Sequence, residues 1–439
     1  MRITLNDIAH ATAGRLSGAD VEISGATIDS RSVTGGQLFV PIVAERDGHD
    51  FVATALDSGA AAYLASREVE GVDAPEVRVA DTSQALMDLG RLARVRLPER
   101  VIGVTGSVGK TSTKDLLAEV LRTTYVTAAN ERSFNNELGL PLTLLNAPDD
   151  AEAVVVEMGA RGAGHIELLC SIARPTVGVV TVVGGAHLEL FGSVEGVAQA
   201  KGELIAALPH DGLAVLSADQ DLVAAMATRT TADVLTFGRS VGADITAQNV
   251  VLDDLLRPAF TLMTPWGSAD LQLQVRGEHQ LFNALAAAAA AGGVGVPLDA
   301  IARALAEAEI SGLRMQLDRA PSGALVLNDA YNANPTSMNA GLDALLALRA
   351  QRRIAVLGVM AELGDDAATA HREIAERAAA RDIEVIAIDA ADYGPSARHV
   401  ASIDDAIDAI GSLAEGDAVL VKGSRVAALE RVADRLLEN

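Results

Sequence analysis

The amino-acid sequence predicts an α/β protein made of three domains in series. Its 439 residues correspond, at roughly 150 residues per domain, to about three domains. Nearly continuous apolar runs of strand length alternate with helical patterns, which is typical of parallel strands covered on both faces. We therefore expect a small α/β N-terminal domain (1–97), a central parallel-sheet domain (98–312) and a C-terminal doubly wound domain (313–439).

The first 97 residues alternate short apolar runs with turn signals. Gly35 and Gly36 precede the apolar run 38–41, and a helical pattern over 51–59 precedes the run 60–64. This order of elements predicts a small α/β unit. A basic stretch from 91 to 100 contains Pro98 and predicts the end of a helix followed by a linker.

Eight longer apolar runs predict the strands of the other two domains. They are 101–105, 153–157, 177–183, 213–216, 324–327, 354–357, 384–388 and 418–421. A helix over 112–121 follows the first run. The alternation of strands and helices after residue 311 predicts a Rossmann-like C-terminal domain.

Composition and charge limit the classes of partner. Only 3% of the residues are aromatic, so the cores must consist of Ala, Val, Leu and Ile. The chain has 35 basic and 59 acidic residues, a formal net charge of -24. Such a chain repels a polyphosphate backbone, so we expect no nucleic-acid partner, and a bound nucleotide needs a locally built site.

A single cysteine, Cys170, excludes an internal disulfide and a thiolate metal cluster, and its apolar neighbours predict a buried side chain. Residues 1–7 include an acid where a signal peptide needs its apolar core. The longest uncharged stretch, 280–298, is mostly alanine and predicts a helix followed by a loop, with no membrane span. We expect a cytoplasmic protein.

Residues 101–112 run from an apolar strand through a glycine turn into a helix, the local structure of a phosphate-binding loop. Backbone N–H groups in such a loop surround phosphate oxygens, and the helix N-terminus adds partial positive charge. Lys110 can reach the β- and γ-phosphates, and the Thr111 hydroxyl can ligate Mg²⁺. Val104 replaces the usual first glycine, so the loop is a variant. We expect a P-loop ATPase-like central domain; the alternative is a structural corner with an incidental lysine.

Three further polar residues follow predicted strands or lie on a helix of the central domain. Glu157 ends the strand 153–157, where a carboxylate points into the ligand crevice of a parallel sheet and can hold Mg²⁺. The alternative is a salt-bridged or solvated glutamate. His187 follows the strand 177–183, and a lone histidine is usually structural. Lys201, taken by itself, has the pattern of a solvated helix lysine.

Polar clusters recur further along the chain. His279 and Asn283 are four residues apart, on one face of a predicted helix. Segment 328–335 is rich in asparagine, which also fits an Asx turn and a helix cap. Segment 422–425 closes a strand and opens a helix, the geometry of an anion site.

Taken together, these motifs resemble the ATP-dependent Mur ligases of peptidoglycan synthesis. The resemblance covers the whole chain through the segments 29–31, 47–49, 105–111, 157–159, 186–189, 201–203, 277–279 and 422–425. Segments 134–141, 329–335 and 357–364 are similar to those of the members that add D-alanyl-D-alanine to UDP-N-acetylmuramoyl-tripeptide. The chain departs from the family pattern at Glu278 and Gln280, where Arg and Asn are usual, and at 183–185, where the family has Asn and Pro.

The resemblance implies ATP and two Mg²⁺ ions as cofactors, and a CO₂-derived carbamate on Lys201. The implied catalytic residues are Lys110, Glu157, His187 and Lys201, and the implied metal ligands are Thr111, Glu157, His187 and carbamylated Lys201. The implied ATP-binding residues are Thr105, Gly106, Ser107, Val108, Gly109, Lys110, Thr111, Ser112, Asn283, Arg314 and Asp329. The implied substrate-binding residues are Ser30 and Arg31 for the UDP-sugar, in the N-terminal domain, together with Asn135, Asn136, Tyr331, Asn332 and Asn334.

Two interpretations other than a Mur ligase were compared with the sequence. A folylpolyglutamate-synthetase-like ligase would lack the N-terminal segment 29–51, and a guanine-nucleotide switch would carry an Asn-Lys-x-Asp signature that the chain does not contain. The sequence leaves open whether the third residue of the tripeptide is lysine or diaminopimelate. We expect a monomer.

Overall fold

The computed structural model describes residues 1–130, 134–185 and 188–438, without the side chain of Leu188. Within these residues the strands form five sheets, of two, five, six, three and six strands. The α/β class with parallel sheets is as predicted. In the same part of the chain, no helix combines the length and the apolar character that crossing a bilayer requires.

The N-terminal segment is a small α/β unit. Its elements are β1 (Arg2–Thr4), α1 (Leu5–Ala11), β2 (Arg15–Ser17), β3 (Glu22–Ser24), β4 (Ala26–Thr27), β5 (Leu38–Phe39), α2 (Val52–Asp57), β6 (Ala62–Ala65), β7 (Glu76–Arg78) and α3 (Thr82–Arg96). Strands β4, β5, β6 and β7 are parallel, and β2 adds antiparallel to β7. Asp81 caps the N-terminus of α3, since its carboxylate accepts from two backbone N–H groups, and the helix ends two residues before Pro98.

The central segment contains a six-stranded sheet and a three-stranded sheet. Its elements are β8 (Val101–Thr105), α4 (Lys110–Arg122), β9 (Thr127–Ala129), α5 (Gly139–Leu145), β10 (Ala153–Glu157), α6 (His165–Ala173), β11 (Val177–Val180), α7 (Leu188–Phe191), α8 (Val194–Lys201), α9 (Glu203–Ala206), β12 (Leu213–Ser217), α10 (Asp221–Ala224), β13 (Asp233–Phe237), β14 (Thr246–Leu252), β15 (Pro258–Thr264), β16 (Gly267–Gln272), α11 (His279–Gly293) and α12 (Leu298–Glu307). The larger sheet is wholly parallel, in the order β13-β12-β11-β8-β10-β9.

Two of the central strands have the predicted bounds, and one is shorter than predicted. The run 177–183 forms a strand only as far as Val180. Beyond it, Thr181 and Val182 bond to the phosphate loop: Thr181 Oγ1 donates to the Val108 carbonyl at 2.6 Å, and Val182 accepts from Ser107 N at 2.6 Å. The apolar character of 181–183 therefore reflects burial beside the loop.

The antiparallel sheet β14-β15-β16 was not predicted. Strand β15 is buried at alternate residues, as expected of a sheet with only one covered face. Its alternation is weaker than the continuous apolar runs of the parallel strands. The alanine-rich stretch forms α11, as predicted, and Ala284 to Ala291 are fully buried against α4 and the sheets. Small side chains let these elements approach closely, which suits a chain with few aromatic residues.

The N-terminal and central segments share one hydrophobic core. Helix α3 packs on α5 and α6, and residues from Ile3 to Leu204 belong to a single buried cluster. Asn146 reinforces the contact, since its side chain accepts from Ala26 N and donates to the Ala26 carbonyl, both at 2.9 Å. These two segments therefore form one continuous packed body.

The C-terminal segment is a doubly wound sheet with its own cores. Its elements are β17 (Gln316–Arg319), β18 (Leu325–Asn328), α13 (Pro335–Ala347), β19 (Arg352–Leu357), α14 (Ala367–Ala379), β20 (Glu384–Ile388), β21 (Arg398–Val400), α15 (Ile403–Ile410), β22 (Asp417–Lys422) and α16 (Glu430–Glu438). The order is β17-β18-β22-β19-β20-β21, with β17 antiparallel and the other strands parallel. Alternate residues of β22 enter opposite cores, Leu420 on one face and Val419 on the other.

Candidate active site

A cavity of about 430 Å³ opens between the phosphate loop and the C-terminal segment. Most of the predicted site residues line it. From the central segment these are Ser107, Val108, Gly109, Lys110, Thr111, Ser112, Asn135, Asn136, Glu157, Lys201 and Asn283; from the C-terminal segment they are Arg314, Asp329, Tyr331, Asn332 and Asn334. His187 lies outside the described residues, so its predicted place is not tested.

Two glycines of the phosphate loop have backbone conformations that a side chain would disturb. Gly106 has φ +152°, and a Cβ there would lie 2.0 Å from Thr181 Oγ1. Gly109 has φ +87° just before α4, and a Cβ there would lie 2.3 Å from Asn283 Oδ1. The loop therefore depends on glycine at both positions, as a close backbone approach to phosphate requires.

Lys110 folds back over the loop that precedes it. Its Nζ donates to the Gly106 carbonyl at 2.8 Å. Burial lowers the pKa of Lys110, Glu157 partly opposes that shift, and Arg314 adds to it. An anionic phosphate in the cavity would favour the charged form of this amine. Gly106 itself and Thr105 do not line the cavity; the Thr105 hydroxyl donates to the Met158 carbonyl at 2.8 Å.

Ser107 connects the loop to the segment after β11. Its hydroxyl donates to the Gly184 carbonyl and accepts from Gly184 N, both at 3.0 Å. A Cβ on Gly184 would lie 2.9 Å from Thr336 Oγ1, on helix α13 of the C-terminal segment. Glycine at this unusual position therefore allows the C-terminal segment to approach the phosphate loop.

The Glu157 carboxylate is buried and accepts two hydrogen bonds, and the backbone N–H of the same residue donates a third. Glu157 is 2% exposed. Thr111 Oγ1 donates to Oε2 at 2.7 Å, Asn135 Nδ2 donates to Oε1 at 2.8 Å, and Glu157 N donates to Asn130 Oδ1 at 2.9 Å. The carboxylate and hydroxyl oxygens of this cluster are of the kind that Mg²⁺ prefers. Among the described residues no three His, Cys, Asp or Glu side chains cluster as an all-protein metal cage.

Lys201, at the end of α8, is buried rather than solvated. Its side chain is 2% exposed and lines the same cavity as Lys110 and Glu157. Within residues 1–130, 134–185 and 188–438 its ammonium has no hydrogen-bond or ion-pair partner. Burial, and then the charge of Lys110, move the pKa of Lys201 well below its ordinary value, while Glu157 opposes the shift. The amine is therefore chemically suited to be neutral.

Arg314 and Tyr331 form the C-terminal wall of the cavity. The Arg314 guanidinium carbon lies 4.1 Å from the centroid of the Tyr331 ring, a cation–π distance. Its Nε is buried and has no acceptor among the described residues. A buried donor of this kind is suited to an anionic ligand.

Asp329 is fixed by Lys422, which is 2% exposed. Lys422 Nζ donates to Asp329 Oδ2 at 2.5 Å and to the Asn332 carbonyl at 3.0 Å. Met315 N donates to Asp329 Oδ1 at 3.2 Å. Segment 422–425 was predicted to have the geometry of an anion site; within it, Lys422 lines the cavity and holds the loop that contains Asp329 and Asn332.

The asparagines near the cavity also have structural roles. Asn334 caps α13, accepting from Ser337 N at 2.9 Å, and Asn332 accepts from Ala333 N at 2.9 Å. Asn136 Oδ1 accepts from Gly139 N at 2.9 Å at the start of α5. The helix cap is thus formed by Asn334, and the Asx turn by Asn328, whose Oδ1 accepts from Ala330 N at 3.2 Å. Asn136, Asn332 and Asn334 also line the cavity.

Three family models match the chain, segment by segment. They are described as Mur ligase family, catalytic domain, over residues 22–94, Mur ligase middle domain over 104–291, and Mur ligase, glutamate ligase domain, over 313–425. The chain belongs to the Mur ligase family.

Relatives and solved structures match this chain over all or nearly all of its length. The UDP-N-acetylmuramoyl-tripeptide–D-alanyl-D-alanine ligase of Mycobacterium bovis is 40% identical, with 100% of this chain and 98% of the relative covered. A crystal structure of MurF from Acinetobacter baumannii matches with a TM-score of 0.90 at 29% identity, covering 100% and 99% of the two chains. MurF from Thermotoga maritima in complex with ADP matches with a TM-score of 0.81 at 30% identity, covering 94% and 97%.

Residues to which the sequence analysis gave no role also line the cavity of this Mur ligase. They are Arg161, His165, Thr336, Ser337 and Glu362; His279 and Lys422, from the polar clusters singled out in the sequence, line it as well. His165 Nδ1 accepts from Arg161 N at 3.0 Å, so Nε2 donates to Glu137 at 2.9 Å. Arg161 and His165 follow β10, and Glu362 follows β19, so proximity to the carboxyl end of a parallel strand was the available signal.

The departure from the family pattern at 278–280 has a structural account. Glu278 is exposed and pairs with Arg239 at 3.0 Å, outside the cavity lining. Gln280 is buried, and its Oε1 accepts from Asn283 Nδ2 at 2.8 Å. Gln280 therefore orients Asn283 beside Gly109.

Ser30 and Arg31 do not line this cavity. Ser30 is buried in the N-terminal segment. Arg31 is exposed and makes a two-bond contact with Asp29, at 2.9 and 2.8 Å. An anion that binds Arg31 would have to share its guanidinium with Asp29.

Proposed function

We propose that this Mur ligase joins D-alanyl-D-alanine to UDP-N-acetylmuramoyl-tripeptide in peptidoglycan precursor synthesis. The reaction is ATP-dependent and ADP-forming, and it makes a C–N bond. Full-length relatives with that printed name support the choice of substrates. The observation that supports the chemistry is the single cavity onto which Lys110, Glu157 and Arg314 all open.

The reaction has two chemical stages. A terminal carboxylate oxygen of the tripeptide attacks the γ-phosphorus of ATP, and ADP leaves, giving an acyl phosphate. The dipeptide amine then attacks the acyl carbon, a tetrahedral intermediate forms, orthophosphate leaves and the amine loses a proton. Lys110 and the loop N–H groups stabilise negative charge on the phosphoryl oxygens in the first stage. Arg314 does so from the opposite wall.

Magnesium fits the oxygen-rich cluster at Thr111 and Glu157. These two residues would hold one ion, and His187 with carbamylated Lys201 would contribute to a second. When bound, Mg²⁺ neutralises charge on the phosphate and carboxylate oxygens. The chain itself orients the cluster, because Asn135 and Asn130 fix the position of Glu157.

Lys201 is proposed to carry a carbamate. Its neutral amine would attack CO₂, forming an N–C bond and releasing one proton, so that a buried amine becomes an anionic oxygen ligand. Burial without a partner among the described residues supports this chemistry. Lys201→Ala should lose most activity and regain part of it with a short carboxylic acid; full activity without the acid would refute the carbamate. A ¹³C-carbamate signal from ¹³CO₂ in the wild type, absent in Lys201→Ala, is the direct readout.

The remaining predicted site residues would bind the substrates. Asn135 and Asn136 would position the tripeptide end, and Tyr331, Asn332 and Asn334 the dipeptide. Ser30 and Arg31 would bind the UDP-sugar in an N-terminal domain of residues 1–97. ATP would lie in a central domain of residues 98–312, with Asn283 and Asp329 in contact with the nucleotide, and be covered by a C-terminal domain of residues 313–439. The monomeric state and the cytoplasmic location stay predictions.

Phosphate release measured with each substrate omitted in turn tests the proposed function. A ligase releases orthophosphate only when ATP, the UDP-tripeptide and D-alanyl-D-alanine are all present. Release with ATP alone would favour a nucleotide switch, and release with a folate and glutamate would favour the folylpolyglutamate type. Oxygen-18 in the tripeptide carboxylate must appear in the orthophosphate. Mass spectra of products from the lysine and diaminopimelate tripeptides identify the preferred third residue.

A further inference from the structure

The linker between the central and C-terminal segments has an unusual backbone around Arg314. Leu313 and Met315, on either side of it, have φ of +61° and +51°. Residues other than glycine rarely adopt this left-handed backbone conformation, and they keep it only where surrounding contacts enforce it. The linker is therefore held in a defined shape that presents Arg314 to the cavity.

Contacts with the C-terminal segment hold one end of the linker. Met315 N donates to Asp329 Oδ1 at 3.2 Å, and the Leu313 carbonyl accepts from Tyr331 N at 3.2 Å. Asp329 is in turn fixed by Lys422. This end of the linker therefore moves with the C-terminal segment.

Asp115 holds the other end. Its Oδ2 accepts from Ser311 N at 2.9 Å and from Ser311 Oγ at 2.7 Å. Asp115 lies on α4, the helix that begins at the phosphate loop. Between the two anchored ends lies Gly312, where an added Cβ would find no heavy atom of the described residues within 4 Å.

Asp115 is itself connected to the cluster of Thr111 and Glu157 through buried groups. Lys114 Nζ lies 2.5 Å from Asp115 Oδ1 and donates to the Asn130 carbonyl at 2.9 Å. Asn130 Oδ1 accepts from Glu157 N. Through Asp115, the linker is therefore connected to the same elements that position Glu157 and the phosphate loop.

We propose that Asp115 is a positioning residue for the ligase reaction: by holding Ser311 it fixes the linker so that Arg314 faces the phosphoryl group when the C-terminal segment covers ATP. This inference rests on the proposed function. Asp115 does not line the cavity. Its effect passes through Ser311, so the two residues must act as a pair.

A double-mutant cycle tests this pairing. The variants are Asp115→Asn, Ser311→Ala and the double variant, with Glu119→Gln as the matched control on the same helix, since Glu119 is exposed and pairs only locally with Arg122. Losing a hydrogen bond to a charged group corresponds to about a tenfold effect. We expect Asp115→Asn to lower kcat about tenfold without changing the KM for the UDP-tripeptide, and the double variant to be no slower than Asp115→Asn. Wild-type kcat in Asp115→Asn, or losses that multiply in the double variant, overturns the proposal.

A second measurement separates this proposal from the proposed function. Small-angle scattering with a non-hydrolysable ATP analogue and Mg²⁺, without peptide substrates, reports closure directly. Wild type and Glu119→Gln should compact, and Asp115→Asn should compact less. Equal compaction overturns the role of Asp115, whereas absence of dipeptide-dependent phosphate release from the wild type refutes only the proposed function. Should Asp115→Asn fail to fold, Ser311→Ala carries the same comparison, because it leaves the Lys114–Asp115 pair in place.

Discussion

Replacing Lys422 by methionine should destabilise the C-terminal segment strongly. The methylene stem of Lys422 packs on Gly341, where an added Cβ would lie 3.1 Å from Lys422 Cδ, and methionine retains that contact. The substitution leaves Asp329 with a charge that is only 13% exposed and without its ion-pair partner, and leaves the Asn332 carbonyl without its donor. Removing one partner of a buried ion pair costs about 3–5 kcal/mol.

The assay is calorimetric unfolding of three proteins: wild type, Lys422→Met and Lys422→Met/Asp329→Asn. A loss of this size should lower the Tm of the C-terminal transition by on the order of 10 °C. The double variant removes the uncompensated charge and should recover more than half of the loss. A Tm for Lys422→Met within about 2 °C of wild type would show that the pair is not a stabilising element, as would a double variant less stable than the single one.

Three further perturbations test other parts of the structure. Gly109→Ala should weaken ADP binding about tenfold, measured by calorimetry, because φ +87° and the 2.3 Å approach to Asn283 disfavour a side chain. Leu256→Ala should cost about 2–5 kcal/mol in urea unfolding, since this central-segment residue is 1% exposed within the C-terminal core, whereas Leu255→Ala, 40% exposed, should cost little. Burial raises the pKa of Cys170 to about 12, so the thiol should stay protonated up to about pH 11 and resist a thiol reagent until the protein unfolds; rapid labelling of the native protein at pH 8 would contradict this.

Local signals predicted much of the cavity. A strand, a glycine turn and a Lys-Thr pair are consecutive in the chain, so the phosphate loop is visible in the sequence, and β8 and β10 have the predicted bounds. Glu157 was placed correctly at the end of a strand because parallel strands present their carboxyl ends at one edge. Lys201 could not be distinguished from a solvated lysine, because burial of one helix face depends on distant elements.

The sequence alone determined the alternation of parallel strands and helices, the phosphate loop and the family, since each depends on residues close together in the chain. Tertiary structure decided which distant groups meet. Asp115 and Ser311 are 196 residues apart, and Lys422 and Asp329 are 93 apart, so neither pair leaves a local pattern. Side-chain hydrogen bonds and ion pairs operate only within a few ångströms, and packing of the sheets and helices is what brings these groups within that range.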